Sequence, residues 1–435
     1  MQLISAPWIL PVTSPQGGVL TEHCIAMQGG RIVDVLPLGQ AHRQHPEAEC
    51  EHLERCALLP ALVNAHTHAA MTLLRGVAED LPLDAWLNER IWPIESACLS
   101  REYVADGTRL AIAEMLLGGT GCFADMYFHP DVILEVAADC GARAQVGIPV
   151  LDIPGAWSCS DAFEQAEEVR SLCTRAPLLS AALAPHAVYS LSLDDLRRTG
   201  EQARALDLRV HIHLAETRQE VDGCLSEHGV SPAVLVDRLM PEVPLQGAHG
   251  VHLDDDDCTL LAVRGAGIAH CPASNMKLAS GFCNLARLEA HGIAFGIGTD
   301  GCASNNRLDS FAEMRLAALL AKSVSEDPAF MDAHRTLHAA TLGGAQVLGL
   351  DGETGSLEAG KSADFIAVDL SDIASAPLYD IAGQLIYACG RNQVDSVWIA
   401  GARKVRSGEL VDIDLEDIRA RAQSWQQRIG ELLPG

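Results

Sequence analysis

The chain contains no Cys-x-x-Cys pair: its 14 cysteines are scattered singly. In a chain of 435 residues that pattern argues against a disulfide framework and points to a reducing compartment. Basic residues are scarce. Lys and Arg number 31 against 58 Asp and Glu, a net charge of -27, and nucleic-acid phosphates call for the opposite sign. No apolar run is long enough to span a bilayer. The first residues, "MQLISAPWILPVTSPQGG", lack a basic region ahead of an apolar core, so no signal peptide is expected. There is no low-complexity tract and no short repeat. These absences together predict a soluble, cytoplasmic protein with no nucleic-acid and no membrane partner.

What is present is a large apolar fraction, 48%, enough to bury a sizeable core. Through the middle of the chain, short apolar runs alternate with helical patterns. The runs are "ALLPALVNAHTH" (57–68), "GGTGCFADMY" (118–127), "GARAQVGIPVL" (141–151), "LLSAALAPHAVY" (178–189), "LRVHIHLAET" (208–217), "PLQGAHGVHL" (244–253), "GAGIAHCPASN" (265–275) and "HGIAFGIGTDG" (291–301). Helical patterns include Tyr103–Leu117, Leu193–Ala205 and Asp309–Lys322. Eight strands separated by helices predict a parallel barrel or a doubly wound sheet. The ends read differently. Residues 2–38, with Gly29-Gly30 as a turn, and residues 361–410 look like β-hairpins, and Leu415–Leu433 like a helix. The simplest organisation joins both ends in a small β domain: residues 1–57 and 358–435, beside a barrel over 58–357.

The reactive side chains fall at the C-terminal ends of those runs. His66 and His68 end the first, His186 the fourth, His249 the sixth and Asp300 the eighth; His213 lies near the end of the fifth, with Glu216 just beyond. Alternate residues of a strand face the same way, so a His-x-His pair can converge on one point. In a (β/α)8 barrel the catalytic groups meet at that end. Three neutral imidazoles and a carboxylate, His66, His68, His213 and Asp300, suit a Zn2+-like ion with one position left for water. A bound ion lowers the pKa of that water to roughly 7. Asp300 can take the water's proton, His249 can hold the water, and Glu216 can donate a proton to substrate. The fourth run carries no lysine, which argues against two metals bridged by a modified lysine. The remaining signals are bland. "DDDD" at 254–257 reads as a solvated turn, with a second metal site the alternative, and Cys122, Cys271 and Cys302 as small core or pocket residues. Asn275 and Lys277 are placed either to line the pocket or on the surface.

The order His-x-His, His, His, Asp along these runs resembles the amidohydrolase superfamily, in its deaminase and chlorohydrolase branch. "HTHAAMTLLRGVAEDLPLDAWL", "FADMYFH", "HCPASNMKLASG" and "GTDGCASNN" are similar, within it, to the family that deaminates 5'-methylthioadenosine and S-adenosylhomocysteine. The resemblance covers nearly the whole chain. It implies an α/β fold, a (β/α)8 TIM-like barrel with a small β-sandwich domain from both chain ends. It implies one divalent metal ion per subunit, Zn2+ foremost, with Fe2+ and Mn2+ compatible, and a homo-oligomer. The implied reaction is hydrolytic removal of the adenine amino group of a nucleoside. His66, His68, His213 and Asp300 match the metal ligands. Glu95, in "IWPIE", matches the glutamate that accepts from the ribose hydroxyls, His186 a substrate-binding histidine, and Glu216 the acid that protonates the ring nitrogen N1. In one place the chain departs from the pattern. Members that accept S-adenosylhomocysteine carry arginines after the third strand, yet "GIPVLDIPGAWSCSD" (147–161) has none, so a substrate carboxylate would lack a bidentate partner. Trp86 and Trp157 can instead offer apolar surface to a methylthio group, with plain packing the equal alternative for either. Relatives that act on guanine, triazines or pterins share many of these motifs, but without ribose they leave Glu95 no diol. A non-catalytic scaffold would be expected to have lost the ligand set. The absence of Pro-Cys-x-x-Cys argues against the other zinc-deaminase design.

Overall fold

The computed structural model describes residues 1–433; the last two residues of the expected C-terminal part, 434–435, lie outside the described residues. The eight runs form one parallel sheet in chain order: Leu62–Thr67, Thr120–Met126, Arg143–Val150, Leu179–Pro185, Arg209–Leu214, Leu245–His249, Gly267–His270 and Ala294–Ile297. Several of these strands are buried along their whole length, as parallel strands covered by helices on one side and packed around a barrel interior on the other must be. The first and eighth strands are clasped by side chains. The amide of Thr299 donates to Asn64 Oδ1 at 2.9 Å, Asn64 Nδ2 donates to the Thr299 hydroxyl at 2.7 Å, and the amide of Asp300 donates to the His66 carbonyl at 3.0 Å. Gly298 makes that approach feasible. A Cβ there would come within 3.0 Å of the His66 backbone.

The first run divides. Cys56–Pro60 pairs antiparallel with Phe365–Asp369 and parallel with Trp8–Ile9 in a six-stranded sheet, and only Leu62–Thr67 belongs to the barrel. Between them the Ala61 amide donates to the Asp364 carbonyl at 3.1 Å, so the chain leaves one sheet at Pro60 and enters the other. Both strands are buried throughout, which is why no change of hydrophobic period marks the crossing.

The chain ends do meet. Gln2–Ser5, His23–Gln28, Arg31–Pro37 and Glu49–His52 form a four-stranded sheet. Its hairpin turns at Gly29-Gly30, both at positive φ (58° and 80°), the backbone that two-residue hairpin loops favour. Ile4, Ile25, Met27 and Ile32 pack against Leu58, Phe365 and Trp398 of the six-stranded sheet. A buried ion pair, Arg143 Nε to Asp364 Oδ2 at 2.8 Å, ties the start of the third barrel strand to the same sheet. The helices fall where their patterns place them, at Arg101–Leu117, Leu193–Leu206, Ser310–Ser325 and Leu415–Gly430. The acidic run 254–257 is a helix start, not a turn. Asp254 caps Asp255–Val263 in a reciprocal capping box with Asp257, which is buried and accepts from Ser231. No helix among the described residues is long and apolar enough to cross a membrane.

Candidate active site and metal centre

Three imidazoles converge because each ring's second nitrogen is held. His68 Nδ1 donates to the Met126 carbonyl at 2.6 Å, and His213 Nδ1 donates to the His186 carbonyl at 2.7 Å. His66 Nδ1 meets His211 Nε2 at 2.8 Å. A carbonyl can only accept, so in the neutral rings of His68 and His213 it is Nε2 that carries the lone pair. These two Nε2 atoms lie 3.2 Å apart. Asp300 Oδ1 lies 3.2 Å from His68 Nε2 and 3.4 Å from His66 Nε2, and His66 Nε2 has no hydrogen-bond partner although fully buried. Converging lone pairs beside an orphaned buried nitrogen and a carboxylate are the donor set of a divalent ion. His249 is also within reach, since donor atoms of His66, His213 and His249 lie within 4.8 Å of one another.

Burial decides most protonation states here. It pushes His66 down to about 4 and His213 well below its usual range, favouring the neutral ligand form. Burial opposes charge on His68 as well, but its bond to Asp300 outweighs this and lifts it to about 9. Burial likewise works against the Asp300 carboxylate, and the adjacent imidazoles of His66 and His68 still hold it well below the usual carboxylate range. Asp300 is fixed from the other side. The hydroxyls of Ser274 (2.6 Å) and Ser304 (2.8 Å) donate to Oδ2, and the Gly301 amide donates to Oδ1 at 2.8 Å. Those bonds hold the residue at φ 60°, a conformation non-glycine residues rarely adopt.

Above this floor opens a pocket lined by His68, His213, His249 and Asp300 below, and by Met71, Leu83, Trp86, Leu87, Trp92, Phe128, Leu151 and Leu278 on its walls. Glu95, His186 and Glu216 reach into it as well. Glu216 accepts from Ser280 at 3.2 Å, and its Oε2 lies 3.8 Å from His249 Nε2. Burial raises its pKa, the direction a proton donor needs. The backbone at Glu216 is locked by Glu220, whose carboxylate accepts from the amides of Ala215 and Glu216 at 2.9 and 2.8 Å. Glu95, on the helix Trp92–Cys98, is 2% exposed; burial lifts it to about 7, against a lowering hydrogen bond from Tyr127 at 2.6 Å. Burial pushes His186 down to about 3, and its Nδ1 meets the Ser190 hydroxyl at 2.8 Å.

The structure places three residues whose roles the sequence left open. Trp157 does not reach the pocket. Its indole donates to the Pro149 carbonyl at 2.9 Å and its ring packs on Phe128 and His129. Asn275 stands behind the pocket, where its Oδ1 meets His249 Nδ1 at 2.8 Å. Lys277 turns away to Glu79 at 2.7 Å and to Asn306. Sequence reasoning also passed over His211, Tyr127, Ser274, Ser280 and Ser304. Only His211 carried a usable signal, since it forms a second His-x-His pair with His213 on the fifth strand.

The chain is similar in sequence and in fold to known proteins. The profile of the Amidohydrolase family matches residues 57–404. The chain is 40% identical over 432 residues to the 5-methylthioadenosine/S-adenosylhomocysteine deaminase of Teredinibacter turnerae, covering 98% of this chain and 97% of the relative. A protein of the same name from Saccharophagus degradans is 39% identical over 431 residues, covering 98% and 96%. An adenosine deaminase from Xanthomonas campestris, solved with bound zinc, superimposes with a TM-score of 0.94 at 45% identity, covering 99% of this chain and 98% of its own.

Proposed function

The chain belongs to the amidohydrolase family, and from that premise we propose that it deaminates the adenine ring of 5'-methylthioadenosine, giving the inosine analogue and ammonia. It is a hydrolase of C–N bonds, and its donor set suits zinc. The ion would be held by His66, His68, His213 and Asp300. When bound, it supplies Lewis acidity that lowers the pKa of a water to roughly 7. The chain's own groups do the rest. Glu216, whose pKa burial raises, delivers its proton to N1 as the amidine is attacked at C6. Asp300 accepts the water's proton and His249, oriented by Asn275, steers the water toward the ring. His186, neutral at working pH, hydrogen-bonds substrate, while Trp86 and its apolar neighbours exclude solvent and cover the base and the 5'-substituent. Glu95 accepts from the ribose diol.

The observation that carries this reading is Glu95: a buried carboxylate in the same pocket as Glu216, with no basic partner and an unmet capacity to accept. A substrate without ribose leaves that carboxylate uncompensated. The test is ultraviolet absorbance of 5'-methylthioadenosine with zinc-loaded protein, together with ammonia release. Turnover that vanishes in Glu216→Gln supports the reading; no turnover with metal bound overturns it. Among the described residues no Arg or Lys lines the pocket, so kcat/KM is expected to favour 5'-methylthioadenosine over S-adenosylhomocysteine, and the reverse order refutes that preference. A homo-oligomer in the cytoplasm completes the proposal, checked by light scattering and cell fractionation.

A further inference from the structure

Glu95 is better solvated on one side than the other. Its only hydrogen bond among the described residues comes from the Tyr127 hydroxyl to Oε1. A carboxylate can accept about four hydrogen bonds, and one buried with a single donor is under-solvated. Which oxygen presents to a ligand, and whether it is ionised, therefore depends on Tyr127. Tyr127 is itself 2% exposed and follows the second barrel strand. Its ring lies 6.4 Å from that of Tyr103 and 5.2 Å from that of Phe128. Tyr103 is gripped in turn by Trp425, edge-on at 5.2 Å and 89°, and the Trp425 indole donates to Asp106 at 2.9 Å. So the C-terminal helix, Leu415–Gly430, packs behind the tyrosine that faces the pocket carboxylate.

We propose that Tyr127 is a specificity-determining positioning residue: its hydroxyl holds Glu95 Oε1 so that the other oxygen is presented as an acceptor to a vicinal diol. The inference rests on the reading of Glu95 given above. Without the donor, a buried carboxyl is stabilised by protonation and rotation, and a protonated carboxyl no longer accepts from both hydroxyls of a diol. The consequence is selective. Substrates with the full diol depend on Tyr127, and substrates lacking one hydroxyl do not.

The test compares 5'-methylthioadenosine with its 2'-deoxy analogue in wild type, Tyr127→Phe, Glu95→Gln and the double variant. In Tyr127→Phe, kcat/KM for the ribosyl substrate is expected to fall about 10- to 100-fold, chiefly through KM, the range of a hydrogen bond to a charged group. The deoxy analogue should change by less than about threefold, and in the Glu95→Gln background the Tyr127→Phe change should nearly disappear, because the two residues act as one unit. Equal losses on both substrates, or additive losses, would mean Tyr127 is only packing and would overturn the inference. A wild type that treats both substrates alike removes the diol reading of Glu95 and this inference with it. A wild type that discriminates, paired with a Tyr127→Phe variant that discriminates equally well, removes this inference alone.

Discussion

The floor and the outer wall of the pocket are built on different principles. The floor gathers His66, His68, His213 and Asp300 from the first, fifth and eighth barrel strands, and each is held by at least one further bond. The outer wall is one segment, Leu83–Cys98, with a π-helical turn at Trp86–Ile91, and it contributes Trp86, Leu87, Trp92 and Glu95. Each floor ligand is anchored through an atom turned away from the point where the four converge; on the wall, among the described residues, the Trp86 indole has no partner and Glu95 has one. Chemistry that must not move is pinned to the sheet. In the proposed reading, recognition falls to a helical segment, Trp86–Cys98, that lines the same pocket.

If that division is sound, floor substitutions cost turnover and wall substitutions cost affinity. The largest effect is expected for Asp300→Ala, which should lose bound metal and activity together, measured by elemental analysis alongside turnover. Glu216→Gln should lower kcat by about 10²–10⁴-fold, the range for a general acid, with metal content intact; a loss of metal as well would place Glu216 in the floor. His211→Ala should weaken metal affinity by about 10- to 100-fold, as removal of a group that orients a ligand does, read by competition with a chelator. Glu95→Gln should raise KM without comparable loss of kcat. The wild-type KM for the ribosyl substrate should also rise as pH falls through about 7, where Glu95 gains a proton and stops accepting, and that limb should be missing in Glu95→Gln. The comparison sharpens further at the opposite end of the barrel. Asp364→Ala strands the buried Arg143 and should destabilise the fold by about 3–5 kcal/mol, seen in denaturant melts, with KM unchanged.

The floor was readable in the sequence because strand ends gather in a barrel and because histidines at such ends are conspicuous. The wall was readable only by resemblance. Glu95 has no periodic signature, and Trp86 and Trp157 look alike until tertiary contacts put one in the pocket and the other against Pro149. The crossing at Ala61 was hidden because apolar runs feeding two sheets read as one. His211 was passed over although it pairs with His213, because a histidine in the middle of a buried strand has an ordinary core explanation, and only its 2.8 Å contact with His66 removes it. The acidic run at 254–257 misled because four carboxylates suggest solvent, whereas two of them close a helix start.

The carbonyls of Met126 and His186 orient two of the three imidazoles. A main-chain carbonyl survives any ordinary substitution, so residues 126 and 186 are free to vary in side chain without unmooring His68 or His213. His66 lacks that insurance, being held through the side chain of His211. Mutational drift can therefore reshape the pocket at position 186, altering which ligand is welcomed, while the geometry beneath it is inherited intact; at position 211 the same drift has no such freedom.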